Sequence, residues 1–309
     1  STGLTSDKED VPFTIMLPAA LDMDETQYDY SKLGETWSTP RIIRMPTSKD
    51  SSLDDDNYVA VLPGGFGTTD GIGSAVFLVD LEDPANNGGA IFGSDQNLGP
   101  IKIVDTDPAG TNPGADDNVV TPNGSDISNA TPASPMVITP DNAKNVPWRG
   151  AMVYLNDLEG KITKFNLTSS TKNEAELFDQ TTLFRLDANT INKRYSYFSM
   201  DAGIGQSTRD FWLFGGTGNF NDIGGGSKFM DNILYAVKDP NYPYFDHLNG
   251  AHVPRESDDT FLAQAHKGAN NAASIDNAVV CKDTTGKISC EDGPTSGQQA
   301  WVVHLDTPD

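Results

Sequence analysis

Residues 58–84 read YVAVLPGGFGTTDGIGSAVFLVDLEDP, and residues 211–240 read FWLFGGTGNFNDIGGGSKFMDNILYAVKDP. Both spell one unit: an apolar strand, a double glycine (Gly64-Gly65, Gly215-Gly216), a polar Gly/Asp loop, a second apolar strand and a closing Asp-Pro. A shorter copy, MVYLNDLEGKITKFNLTS over residues 152–169, keeps strand, glycine turn and strand without the long loop. A small antiparallel unit repeated in fixed order is the signature of a radial β architecture. The expected fold class is therefore all-β, a β-propeller.

Working outward, WSTPRIIRM from Trp37 reads as an opening strand, with Pro40 confining it to an edge or a strand start. Further strands are expected at residues 101–104, 135–139, 152–155, 162–167, 183–186, 195–200, 211–214, 233–237 and 300–305, with brief helices at 173–180 and 261–267. The acidic run Asp54-Asp55-Asp56 reads as a solvated turn. The visible units are about 60 to 95 residues apart, wider than simple propeller repeats, and long loops account for the excess. The expectation is one propeller domain over residues 1–309, or part of a larger one, with loop insertions at about 84–134 and 241–297. The final WVVHLDTPD has no strand following it in the chain, so closure would need an unusual pairing or further blades.

Composition narrows the partners. The 309 residues carry a formal charge of −23, which repels phosphate backbones and anionic lipid and argues against nucleic-acid and membrane-surface roles. No apolar run is long enough to span a bilayer. The opening STGLTS carries no leader pattern, so the expectation is either a processed export signal or an internal piece of a longer chain. Cys281 and Cys290 frame CKDTTGKISC, with Val279-Val280 and Ile288 reading as paired strands around an Asp-Thr-Thr-Gly turn. A disulfide across that hairpin is geometrically reasonable and implies an oxidising compartment; two unrelated reduced thiols are the alternative.

For chemistry, DTDPAGTNPGAD is the candidate metal loop. Counted from Asp105, it sets Asp107 at position three, a glycine at six, the Thr111 carbonyl at seven and Asp116 at twelve, as calcium requires. Ala109 at position five offers no ligand, and Asp116 is shorter than the usual glutamate, so a solvated acidic loop is the competing reading. His247 and His252 with Asp246 match no recurrent zinc spacing. The glycine-rich stretch 215–226 lacks the Lys-Ser/Thr and the helix of a phosphate cradle and reads as turns. Trp37, Trp148, Trp212 and Trp301 read as core or inter-blade packing, three of them on strands.

The ordered set GETWSTPRIIR, LPGGFGTTDGIGSAVFLVDLED, YLNDLEGKITKFNL, FWLFGGTGNFND and ILYAVKDP resembles the C-terminal β-propeller of the PilY/PilC family of type IV pilus tip adhesins. QAWVVHLDTPD resembles that family's next strand, and agreement is poor over residues 85–133 and 241–297. The resemblance implies a secreted, extracellular protein at the pilus tip or cell surface. It implies roles in pilus biogenesis and surface attachment, with pilins and a host or abiotic surface as partners. In that family an acidic calcium loop precedes the strand matching residues 152–155; here TPDNAKNVPWRG supplies only Asp141, Asn142 and Asn145. The expected role is binding, not catalysis, with partner contacts on the long loops. The alternative is a quinoprotein-like or glycan-acting propeller enzyme. Quinoprotein dehydrogenases have similar blades but commonly use a vicinal cysteine pair, whereas eight residues separate Cys281 from Cys290.

Overall fold

The computed structural model describes residues 33–81, 101–105, 130–140, 146–220 and 232–245 apart from short internal gaps, together with segments at 273–274, 279–280, 282–283, 288–289 and 300–305. The first apolar runs fold into a four-stranded antiparallel meander: β1 (Arg41–Met45), β2 (Asn57–Pro63), β3 (Ala75–Asp80) and β4 (Ile101–Asp105). β5 (Met136–Ile138), β6 (Gly150–Asn156), β7 (Lys161–Thr168) and β8 (Gln180–Arg185) form the second. β9 (Asp201–Ile204), β10 (Phe211–Gly216) and β11 (Ile233–Asp239) begin the third. Short strands follow at β12 (Ala273–Ser274), β13 (Val279–Val280), β14 (Lys282–Asp283) and β15 (Ile288–Ser289), and β16 (Ala300–His304) ends the series.

The strand pairs expected from the repeated units are present. β2 lies against β3 with Val61 opposite Leu78, β6 against β7 with Val153 opposite Phe165, and β10 against β11 with Leu213 opposite Val237. The last strand is not left over, as the sequence suggested: β16 pairs antiparallel with β11 and parallel with β13, completing the third sheet in the order β13-β16-β11-β10-β9. Three local expectations fail. The opening strand begins at Arg41, not at Trp37; residues 195–200 are irregular and the strand begins only at Asp201; described residues within 173–180 are not helical, and Gln180 opens β8. The other expected helix, 261–267, lies outside the described residues.

The first sheet has four strands, while β12 adds in parallel to β8 and β13 to β16, so the second and third have five. Stacked face to face, the three sheets are adjacent propeller blades. The alternation along each strand decides which side faces which neighbour. Ile43, Met45, Val59, Val61 and Leu78 of the first blade meet Ala151, Val153, Leu155, Phe165 and Leu167 of the second. The opposite face of the second blade, with Met152, Tyr154, Ile162 and Phe184, meets Phe211, Leu213, Tyr235, Val237 and Val302 of the third. The middle blade is thus covered on both sides, and every residue of β6 and β7 is buried.

Buried polar networks tie the middle blade to its neighbours at both seams. Lys164 Nζ lies 2.6 Å from Asp239 Oδ2, the Tyr154 hydroxyl donates to the same oxygen at 2.7 Å, and Lys164 also donates to the Tyr244 carbonyl at 2.8 Å. Burial, then the neighbouring Asp239 carboxylate, raises the Tyr154 phenol well above its usual pKa, so it stays a donor. Tyr154 stacks on Phe211, and Phe211 on Tyr242 with centroids 4.2 Å apart. At the other seam Arg149 Nε reaches both Asp56 oxygens at 2.8 Å, and its Nη2 donates to the Ser51 hydroxyl at 2.9 Å. Asp56 is therefore a buried inter-blade anchor, not a third solvated acid. Asp55 does stay on the surface, where hydrogen bonds from the Ser52 side chain and backbone lower its pKa.

Candidate functional site

In each blade the segment leading into the first strand and the loop joining the second and third strands lie at one end of the sheet, because Arg41 pairs with Val61 and Ile204 with Phe211 while the chain reverses at every turn. At that rim the three blades repeat one clasp. The Phe66 N–H donates to the Glu35 carbonyl (2.6 Å), Leu158 N–H to the Ala130 carbonyl (2.9 Å) and Gly218 N–H to the Tyr195 carbonyl (2.9 Å). Glu35, Ala130 and Tyr195 each stand six residues before the first residue of β1, β5 and β9. The lead-in segments also touch each other, since Thr39 N–H donates to the Ser134 hydroxyl at 2.7 Å.

The first blade's double glycine builds its part of the rim by close approach. Gly65 has φ +89° and Gly73 φ +83°, a region costly for L side chains. The buried Thr131 hydroxyl accepts from Gly64 N–H at 3.0 Å and lies 3.0 and 3.1 Å from the Gly73 and Ala75 carbonyls, tying the loop to the second blade's lead-in. The second double glycine does different work. Gly215 and Gly216 belong to β10, neither has positive φ, and the place of a Gly215 Cβ is taken by the Tyr235 hydroxyl from the neighbouring strand. Identical letters in the repeat serve a turn in one blade and a side-chain cross-packing in another.

On this rim four aromatic rings form a closed circuit. Trp37 lies 6.2 Å from both Phe66 and Phe220, and Tyr197 lies 6.1 Å from Phe66 and 6.2 Å from Phe220, with neighbouring planes inclined by 33–46°. Tyr197 is the floor, 5% exposed and packed with Ala130, Leu158, Phe66 and Tyr195. Burial pushes its phenol up to about 12, with Tyr195 adding to the shift, so it is neutral near pH 7. Trp37 and Phe220 are each 51% exposed, and Phe198 beside Tyr197 in sequence is 63% exposed. The arrangement is a shallow aromatic dish on a rigid three-blade support. Glu35, itself exposed, is bonded through both its N–H and its carbonyl to Phe66 at the edge.

The residues expected from sequence fall elsewhere. Asp105 is the last residue of β4, paired in the backbone with Ala75, while Asp107, Thr111 and Asp116 lie outside the described residues. Cys281 and Cys290 also lie outside them. The β14–β15 ladder between the cysteines pairs Lys282 with Ser289 and Asp283 with Ile288, whereas Val279–Val280 runs parallel to β16 instead of serving as a hairpin arm. Asp141, Asn142, Asn145, Asp246, His247 and His252 are likewise outside. Among the described residues no three His, Cys, Asp or Glu side chains converge as metal ligands, and no helix is long and apolar enough to cross a membrane.

The tryptophans divide. Trp148 is core, with Nε1 donating to the Pro243 carbonyl at 2.7 Å, and Trp212 and Trp301 lie on strands of the third blade. Trp37 is on neither a strand nor a core face. The rim's signal was present in the sequence: ETWSTP, ATPASP and YSYFSM precede β1, β5 and β9 at the same spacing, with Trp37, Pro132 and Tyr197 in register.

No family model matches the chain, and no curated protein matches it. Among solved structures, the C-terminal domain of PilY1 from Pseudomonas aeruginosa aligns with a TM-score of 0.48 and 11% identity, over 89% of this chain and 51% of that one. The relationship is a distant structural one. The chain spans about half the length of that structure.

Proposed function

We propose that this chain is a binding and structural module of a type IV pilus tip-associated adhesin, which holds its partner outside the cell and carries out no reaction on it. The motifs that resemble the pilus tip family lie on consecutive blades in their sequence order, which supports the reading. So do the part-exposed apolar side chains on the two outer blade faces, Ile42 and Tyr58 on one and Phe214 and Leu234 on the other, if the three blades belong to a larger ring. The single observation that carries a binding role is the rim, where loops from different blades set half-exposed rings on a rigid scaffold. Large exposed aromatic side chains are the residues that dominate binding energy at protein interfaces.

The test uses cells displaying the protein, with Trp37→Leu and Phe220→Leu combined. Surface attachment is expected to fall several-fold while pilus number and the amount of displayed protein stay at wild-type levels. Attachment unchanged by the pair would refute the assignment to this rim. A companion deletion of the long loop must stop at residue 129, because Ala130 is fully buried and Thr131 holds the Gly64 turn.

A further inference from the structure

We infer that the aromatic dish is a receptor for a cationic side chain, and that its occupant is a basic segment of a protein partner presenting arginine or lysine. The inference rests on the binding role proposed above and names the partner's chemistry. A cation is drawn to the negative π face of an aromatic ring when it lies within ~6 Å of the centroid. The Trp37 and Phe220 centroids are 6.2 Å apart, and both rings are half exposed. A guanidinium or ammonium resting about 4 Å above their midpoint lies on the order of 5 Å from each, inside that reach. The buried Tyr197 and the half-buried Phe66 complete the circuit below.

Charge points the same way at two scales. Glu35 is exposed and tied to Phe66 by two backbone hydrogen bonds, which sets an acidic residue at the edge of the dish. The chain as a whole carries −23, a field that raises the encounter rate with basic partners and repels acidic ones. The protein already uses this contact internally, with Lys172 Nζ 3.5 Å from the centroid of the Tyr244 ring.

The probe is an acetylated, amidated hexa-arginine peptide titrated into the full chain by calorimetry at two salt concentrations, with hexa-glutamate as control. Saturable one-site binding to the wild type is expected, weakened about threefold by Phe220→Leu and about tenfold by Trp37→Leu/Phe220→Leu. Glu35→Gln should weaken it two- to threefold and flatten the salt dependence. Far-ultraviolet spectra and melting temperature serve as the folding control, and Phe198→Leu, on a ring outside the circuit, is expected to bind as wild type. Equal affinity for wild type and the double variant would overturn the inference, because binding would then be spread over the acidic surface; absence of saturable binding would overturn it too. The two readings separate cleanly. If the double variant loses attachment on cells but binds hexa-arginine as wild type does, the cationic receptor is wrong and the binding rim stands. If the peptide discriminates and attachment does not change, the reverse holds.

Discussion

Replacement of Asp239 by alanine is expected to destabilise the chain by about 3–5 kcal/mol, because it leaves the Lys164 ammonium buried between two blades without its counter-charge. The Lys164 and Asp239 side chains are 1% and 0% exposed, so water cannot take over the lost contact. The same change removes the acceptor of the Tyr154 hydroxyl and of the Asn241 N–H. Asp239→Asn, which keeps an acceptor in place, should lose less. Replacing both partners with apolar residues of similar size should recover much of the loss, since the pair's own desolvation cost is then absent. The urea midpoint of each variant measures this; an Asp239→Ala midpoint within error of wild type would mean that the second and third blades are not locked at that seam.

Gly64→Ala is the second large effect. A Cβ there would meet the Gly73 carbonyl group and the Ala75 carbonyl oxygen inside van der Waals contact, and these are backbone atoms of the same tight loop that cannot swing aside. Forced overpacking of this kind costs roughly 3 kcal/mol. Gly218→Ala is the control on the third blade's rim, where a Cβ meets nothing within 4 Å, and should be close to neutral. Melting temperatures of the two variants check the contrast; similar values would remove the close approach from the account.

The strand pairs were legible because each blade's central strands are apolar runs bounded by glycine, and local alternation suffices to place them. What alternation misreads is the second face. KITKFNLT over β7 looks half-solvated, with Lys164 and Asn166 on a polar side, yet that side is covered by the third blade and its charge is neutralised from there. The closing Asp-Pro of residues 239–240 was visible as punctuation, but its carboxylate acts across the seam. Asp56 was hidden likewise, since Arg149 lies 93 residues away along the chain. The rim went unread for another reason: residues 195–200 are apolar enough to imitate a strand, and their likeness to 35–40 becomes clear only when both are aligned on the strands they precede.

Hydroxyl-radical footprinting of the protein, free and engaged on the surface to which the cells attach, tests the binding rim most directly. Trp37 and Phe220 should lose oxidation on engagement, while the exposed outer-face residues Ile42 and Leu234 keep theirs. Protection of the outer blade faces with Trp37 and Phe220 still fully oxidised would contradict it.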